Sequence, residues 1–257
     1  MVIGEENTSW KIKQLAKVDL NNTILIGGLP GIGNVGKIAI DFMIDVLKAK
    51  KMFEFSSYKL PHCVFVNEKN IIELPTIEVF YKKVKNTSLL LLSGDIQPLD
   101  EPSCYEFCNK VLDLFQQYKG KEIISLGGIA LDKNPKFPKV YCTGTNQKII
   151  KKYQAGSFNK DIYQMIGPIV GVSGVLTGLA GKRKIDAVAL LAETYGHPAY
   201  FGVKSAKEIL KLLNKKLNLK LNIGKLDEEI NDIEKEFKQA KKIQNPIGIK
   251  EKINYIG

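Results

Sequence analysis

The stretch Thr23 to Leu47, TILIGGLPGIGNVGKIAIDFMIDVL, leaves the chain few folds to choose from. Thr23 to Ile26 is a short apolar run that reads as a β-strand. Val35, Ile38, Ala39, Phe42, Met43, Val46 and Leu47 then recur at spacings of three and four, which predicts a helix. Between them Gly27, Gly28, Gly31, Gly33 and Gly36 surround Pro30, so the backbone there can reach positive φ and lie close to whatever sits above the strand end. A strand, a glycine turn and a helix in this order open an α/β fold.

Two ligand motifs overlap in the turn, and neither is complete. Gly31, Gly33 and Gly36 satisfy G-x-G-x-x-G, with Glu54 at about the separation of a ribose-binding acid. Gly31, Gly36 and Lys37 satisfy G-x-x-x-x-G-K, but Ile38 follows where magnesium binding requires Ser or Thr. Three readings stay open: a tight structural turn, an anion site made by a helix N-terminus with Lys37 nearby, and a nucleotide site.

A chain of 257 residues suits one large α/β domain with an appendage. No run of about 18 apolar residues suggests a membrane span. The start, MVIGEENTSW, lacks a basic-then-apolar signal pattern, so the expected location is the cytoplasm, with no membrane partner. The net charge of +11 raises a nucleic-acid function, yet Arg183 is the only arginine. Lysine alone is poorly suited to bidentate phosphate and guanine contacts, so no nucleic-acid partner is expected. Cys63, Cys104, Cys108 and Cys142 include no C-x-x-C pair. Cys104 and Cys108 would lie one helical turn apart, but no nearby histidine or second cysteine pair completes four ligands. Reduced, buried thiols are expected, with no metal and no cofactor.

Further along, strands are expected over Lys51 to Ser56, Ser88 to Leu92, Glu122 to Leu126, Val140 to Thr143, Ile166 to Val172 and Ile185 to Ala192. Cys63 to Val66 and Thr76 to Tyr81, about the polar turn Asn67 to Asn70, read as an inserted antiparallel hairpin. The run Ser88 to Leu92 is continuously apolar, as in a strand buried on both faces. Asp95 follows it as a loop or cap residue. Helices are expected over Glu101 to Tyr118, Gly174 to Ala180 and Lys204 to Leu217. The segment Glu193, Thr194, Tyr195, Gly196, His197, Pro198 has residue types suited to acid–base work, but no serine or cysteine nucleophile accompanies it. No catalytic residue is assigned.

From Leu226 to Ile243 the character changes. Leu226, Ile230, Ile233, Phe237 and Ala240 form a narrow apolar stripe among charges, as in a helix that needs a partner surface, supplied by the domain itself or by another copy of the chain. Ile230, Ile233 and Phe237 are the candidate oligomerisation residues. After Pro246 the tail IGIKEKINYIG carries Ile253, Tyr255 and Ile256, with Gly257 last, and such an apolar end suits docking, either on its own core or oligomer or on a partner. The expected organisation is an α/β domain over 1–222 and a charged helix with an apolar tail over 223–257.

Taken together, GGLPGIGNVGK, the later block GPIVGVSGVLTGLAGKRKIDAVALLAETYG and the charged helix ending in NYIG resemble an archaeal member of the proteasome assembly chaperones. The resemblance implies a mixed, mostly parallel sheet flanked by helices and similar to the nucleoside phosphorylase fold. It also implies a homo-oligomer that chaperones proteasome core-particle α-subunits without ATP or enzymatic chemistry, alone or with a second related chaperone. Relatives of this kind insert a C-terminal hydrophobic-tyrosine-X tail between α-subunits; here Asn254 precedes Tyr255, and Ile256 and Gly257 follow it. Ile253, Tyr255, Ile256 and Gly257 are therefore the candidate partner-binding residues, in a tail that departs from the strict pattern. The alternative is a nucleoside- or phosphate-handling enzyme built on the Gly31 to Lys37 turn, an analogy of fold alone.

Overall fold

The computed structural model describes residues 2–3, 9–154 and 167–227. Its strands are β1 (Val2–Ile3), β2 (Trp10–Gln14), β3 (Thr23–Gly27), β4 (Lys50–Ser57), β5 (Phe65–Val66), β6 (Ile72–Glu73), β7 (Ile77–Val84), β8 (Thr87–Gly94), β9 (Gly120–Leu131), β10 (Val140–Gly144) and β11 (Asp186–Tyr195). The α-helices are α1 (Val35–Leu47), α2 (Glu101–Gln117), α3 (Gln147–Tyr153), α4 (Val172–Lys182) and α5 (Val203–Leu217). Nine strands make one mixed sheet in the order β1-β2-β4-β7-β8-β3-β9-β11-β10, and β5 pairs with β6 apart from it.

The parallel pairings lie at the centre of the sheet, where β8, β3, β9 and β11 run side by side. The flanks are antiparallel, because β7 turns directly into β8 and β10 returns along β11. Central strands are covered on both faces, and the alternation within them shows how. Ile24 and Ile26 of β3 and Leu89 and Leu91 of β8 enter one core with α1 and α5, while Leu25, Leu90 and Leu92 enter the other with α2 and α4. Continuous apolar runs are what a strand between two helical layers requires. Leu226, the first residue of the C-terminal stripe, is buried in the α1 and α5 core.

Local chemistry sets the helix ends. Asp100 caps α2 by accepting from Ser103 N at 2.9 Å, and Pro102 fits its first turn. Arg183, at the end of α4, binds Asp113, Gln116 and Asn109 at 2.6–2.9 Å, so the one arginine ties α4 to α2. Cys104 and Cys108 sit within the α2 core, where their mutual hydrogen bond, reinforced by burial, raises the Cys108 thiol far above its usual range.

Three expectations are corrected. The sequence Ile166 to Val172 does not form a strand: residues 167–170 carry no regular structure and Val172 already begins α4. Ile169 packs its backbone and Cβ closely against the start of that helix, at Gly174, while Pro168 and Val170 stay exposed. The inserted hairpin is smaller and differently paired than expected, with Val66 opposite Ile72, while Ile77–Val84 joins the main sheet between β4 and β8. Finally, β9 does not stop at Gly127-Gly128 but continues to Leu131, both glycines pairing in register with Leu191 and Ala192.

Candidate functional site

The carboxyl ends of β3 and β9 border a half-open crevice of about 360 Å³, where α/β folds commonly place ligands. Leu29, Ile32, Gln97, Gly128, Ile169 and Val170 are among its lining residues. The Gln97 side chain spans it, donating to the Pro30 carbonyl at 2.8 Å and accepting from Val172 N at 3.2 Å. Ser173 donates to the Leu126 carbonyl at 3.1 Å. The lining is thus chiefly apolar, and these polar side chains serve the backbone.

The glycine turn answers to packing. A Cβ on Gly28 would sit 2.1 Å from the Gly36 carbonyl oxygen, and one on Gly36 would sit 2.5 Å from the Leu126 carbonyl oxygen. The first turn of α1 therefore rests directly on the backbones of β3 and β9. Gly33 has φ 59° and faces Thr194, a conformation that side chains rarely tolerate. Gly31 differs, being extended at φ −169° with open space around its Cβ position.

Lys37 is directed away from the crevice and is not among its lining residues. Its ammonium lies 2.8 Å from Asp41 and 3.2 Å from Ser93 Oγ, and Ser93 in turn donates to Asp41 at 2.6 Å. The charge that a P-loop lysine would give to phosphate is met one helical turn away. Glu54 lies on β4, separated from β3 by β7 and β8, and so is not beside the turn. Gly31, Gly33 and Gly36 remain together, without Lys37 or Glu54.

The polar segment after β11 is structural as well. Glu193 is buried in the strand, accepting from Tyr141 OH at 2.8 Å and from Lys139 N at 3.0 Å. Burial first, then this bond to Glu193, pushes the Tyr141 hydroxyl up to about 12. His197 stacks on Tyr195 with ring centroids 5.6 Å apart, and its Nδ1 accepts from Ala199 N at 3.2 Å. Asp95 accepts from both N and Oγ1 of Thr76, which fixes the start of β7. No cluster of three or more His, Cys, Asp or Glu suited to a metal occurs among the described residues. Nor is any described helix long and apolar enough to cross a membrane.

What sequence reasoning missed is the concentration of apolar side chains at this same end of the sheet. Ile32, Leu99, Phe137, Val170 and Phe201 follow strand ends or precede helix starts there, all at least 48% exposed. The β5–β6 hairpin, which joins the upper ends of β4 and β7, is exposed at this end too. Isolated exposed apolar residues are normal, but a group on one face marks an interaction surface. The signal in the sequence was an apolar residue in each loop that follows a β-strand of the parallel centre. The candidate residues Ile230, Ile233, Phe237, Ile253, Tyr255, Ile256 and Gly257 lie outside the described residues.

The fold as a whole is shared with known proteins. The model of the PAC2 family matches residues 25–241. The chain belongs to the PAC2 family. PbaB of Pyrococcus furiosus, described as an archaeal proteasome activator, is 30% identical and superposes with a TM-score of 0.82 over 91% of this chain and 99% of its own. PbaA of the same organism, described as an archaeal homologue of proteasome-assembly chaperone, has the same fold at 22% identity, a TM-score of 0.71, and coverage of 91% and 92%. An uncharacterised protein of Methanocaldococcus jannaschii is 28% identical over 227 residues, covering 88% of this chain and 85% of the relative.

Proposed function

We propose that this PAC2 protein engages the proteasome core particle as a non-enzymatic, ATP-independent assembly chaperone or scaffold for its α-subunits, working as a homo-oligomer. The observation that carries the proposal is the likeness to PbaB along nearly the whole length of both chains. The apolar carboxyl end supports a protein partner rather than a soluble substrate, since the described polar groups around the crevice are occupied by the fold. In this reading Ile253, Tyr255, Ile256 and Gly257 dock on the α-subunits, and the extension over 223–257, through Ile230, Ile233 and Phe237, adds to self-association. A second related chaperone is a further candidate partner.

A second reading is engagement of the finished particle, favoured because the relative at 30% identity is described as an activator and the assembly-chaperone homologue stands at 22%. One experiment separates them. Purified chain is added to separated α-subunits and, in parallel, to assembled core particles. Faster ring formation supports the chaperone, whereas faster peptide hydrolysis by the finished particle supports the activator. Absence of binding to either, by pull-down with and without residues 253–257, refutes both. An enzyme handling nucleosides or phosphate is the weaker alternative, because Gly28, Gly36 and Gly128 are required by backbone contacts. A thermal-shift screen with phosphate, nucleosides and ATP tests it, since ligand at about 100 times its dissociation constant stabilises by about 2.7 kcal/mol.

A further inference from the structure

Between β4 and β7 the chain makes an excursion whose root is tied to the domain, by Leu60 against the α2 and α4 core and by Lys59 to Glu106, and whose tip stands clear of both cores. Val64, Phe65, Val66, Ile71, Ile72 and Leu74 are 43–75% exposed, and none belongs to either core. Yet the hairpin is shaped in advance. Asn67 Oδ1 accepts from Lys69 N at 2.9 Å and Ile71 N at 3.0 Å, its Nδ2 donates to Glu73 at 2.7 Å, and its backbone pairs with Ile71 and Asn70. Two strands of two residues are marginal in water without a covering surface. Together the six side chains expose several hundred Å², on the order of the roughly 800 Å² that one partner contributes to a standard interface.

We infer that this hairpin is a self-association surface whose occupant is the hairpin of a second copy of the chain. Charge argues for a second copy. The protein carries +11, but residues 58–76 hold Lys59 and Lys69 against Glu68 and Glu73, a net of zero. Two +11 bodies repel, and a neutral element is where they meet at least electrostatic cost. An acidic partner, by contrast, would find its complement on the lysine-rich remainder of the surface. Symmetry argues the same way: among the described strands β5 and β6 pair with each other alone, leaving each an edge that an identical hairpin can meet across a two-fold axis. The inference rests on the homo-oligomer in the proposal above and not on its client.

The test uses the full chain. Phe65→Asp with Ile72→Asp replaces two exposed side chains, so circular dichroism and melting temperature should stay those of the wild type. Light scattering across a concentration series should show self-association weakened roughly 30-fold or more, the loss expected of central contact residues. Added salt should strengthen or leave unchanged the wild-type association, since screening relieves like-charge repulsion. Cys63 provides an independent reading, being exposed beside the hairpin while the other three cysteines are buried. A short bis-maleimide should give the wild type, and not Cys63→Ser, a covalent species of twice 28.7 kDa. A monomeric wild type, or an unchanged mass in the double variant together with no cross-link, overturns the inference. Unchanged mass with lost capture of α-subunits assigns the hairpin to the client instead and also overturns it. Loss of the oligomer with capture of α-subunits retained supports it, while failure of capture by the wild type refutes only the proposed client.

Discussion

Replacing Gly36 by alanine tests whether the glycine turn is a packing device. The new methyl would stand 2.5 Å from the Leu126 carbonyl oxygen, where ordinary contact begins at 3.4 Å, so α1 or β9 must yield by about 0.9 Å. Both are rigidly held: Val35, Ala39, Ile40 and Met43 of α1 are fully buried against the sheet, and Leu126 is buried in β9. Overpacking of this kind costs about 1–3 kcal/mol, and valine at the same position costs more. For a domain of this size each kcal/mol lowers the melting temperature by about 2–4 °C, so Gly36→Ala should melt about 2–12 °C below the wild type. Gly31→Ala is the control, with an extended backbone and open space at its Cβ position, and should fall within about 0.5 kcal/mol of the wild type. Differential scanning calorimetry on both proteins without ligand checks this. A Gly36→Ala protein as stable as the wild type, or a Gly31→Ala protein equally damaged, would refute the packing account of the turn.

Lys37→Ala should cost less than about 1 kcal/mol in urea unfolding and leave binding of proteasome subunits intact, because its partner Asp41 is half exposed and such pairs contribute little. Glu122→Ala should be more harmful. It removes a buried carboxylate held by Lys152 and by Tyr153 OH, each at 2.6 Å; Lys152 regains water, but the buried Tyr153 hydroxyl loses its acceptor, at a cost of about 1–3 kcal/mol in urea unfolding. Tyr141→Phe tests the raised hydroxyl pKa. In the wild type the unfolded chain deprotonates this tyrosine near 10 and the folded chain near 12, so its contribution is complete below pH 10 and is lost as pH rises from 10 to 12. The difference in stability between wild type and Tyr141→Phe should therefore decline across that interval, and a flat difference would show that Tyr141 titrates alike in both states.

Much of the architecture was legible in the chain because it rests on local periodicity. The apolar run Ser88 to Leu92 is what a strand between two layers needs, and it forms one, while the spacings in α1, α2 and α5 identify faces as well as helices. The same rules misjudged Ile166 to Val172, since a short apolar segment is apolar whether it pairs in a sheet or leads into a helix. They also ended β9 early, because glycine breaks strands locally and nothing local tells that Gly128 must admit the Ile32 carbonyl oxygen, 2.4 Å from where its Cβ would be.

Of the candidate site, the sequence determined the glycines, the position of the turn after a strand, and the lysine that follows. Tertiary structure decided what they are for. Whether Lys37 points at a ligand or at Asp41 depends on which face of α1 meets β8, and whether a glycine cradles a phosphate or a neighbouring backbone depends on how closely α1 rests on β3 and β9. The apolar rim was equally hidden, since Leu99, Phe137, Val170 and Phe201 are far apart in the chain and meet at one end of the sheet only through the parallel crossovers. Residue type and spacing fix local conformation through sterics and burial, but the distance between two segments is set by the whole packed core. Function at a surface depends on that distance.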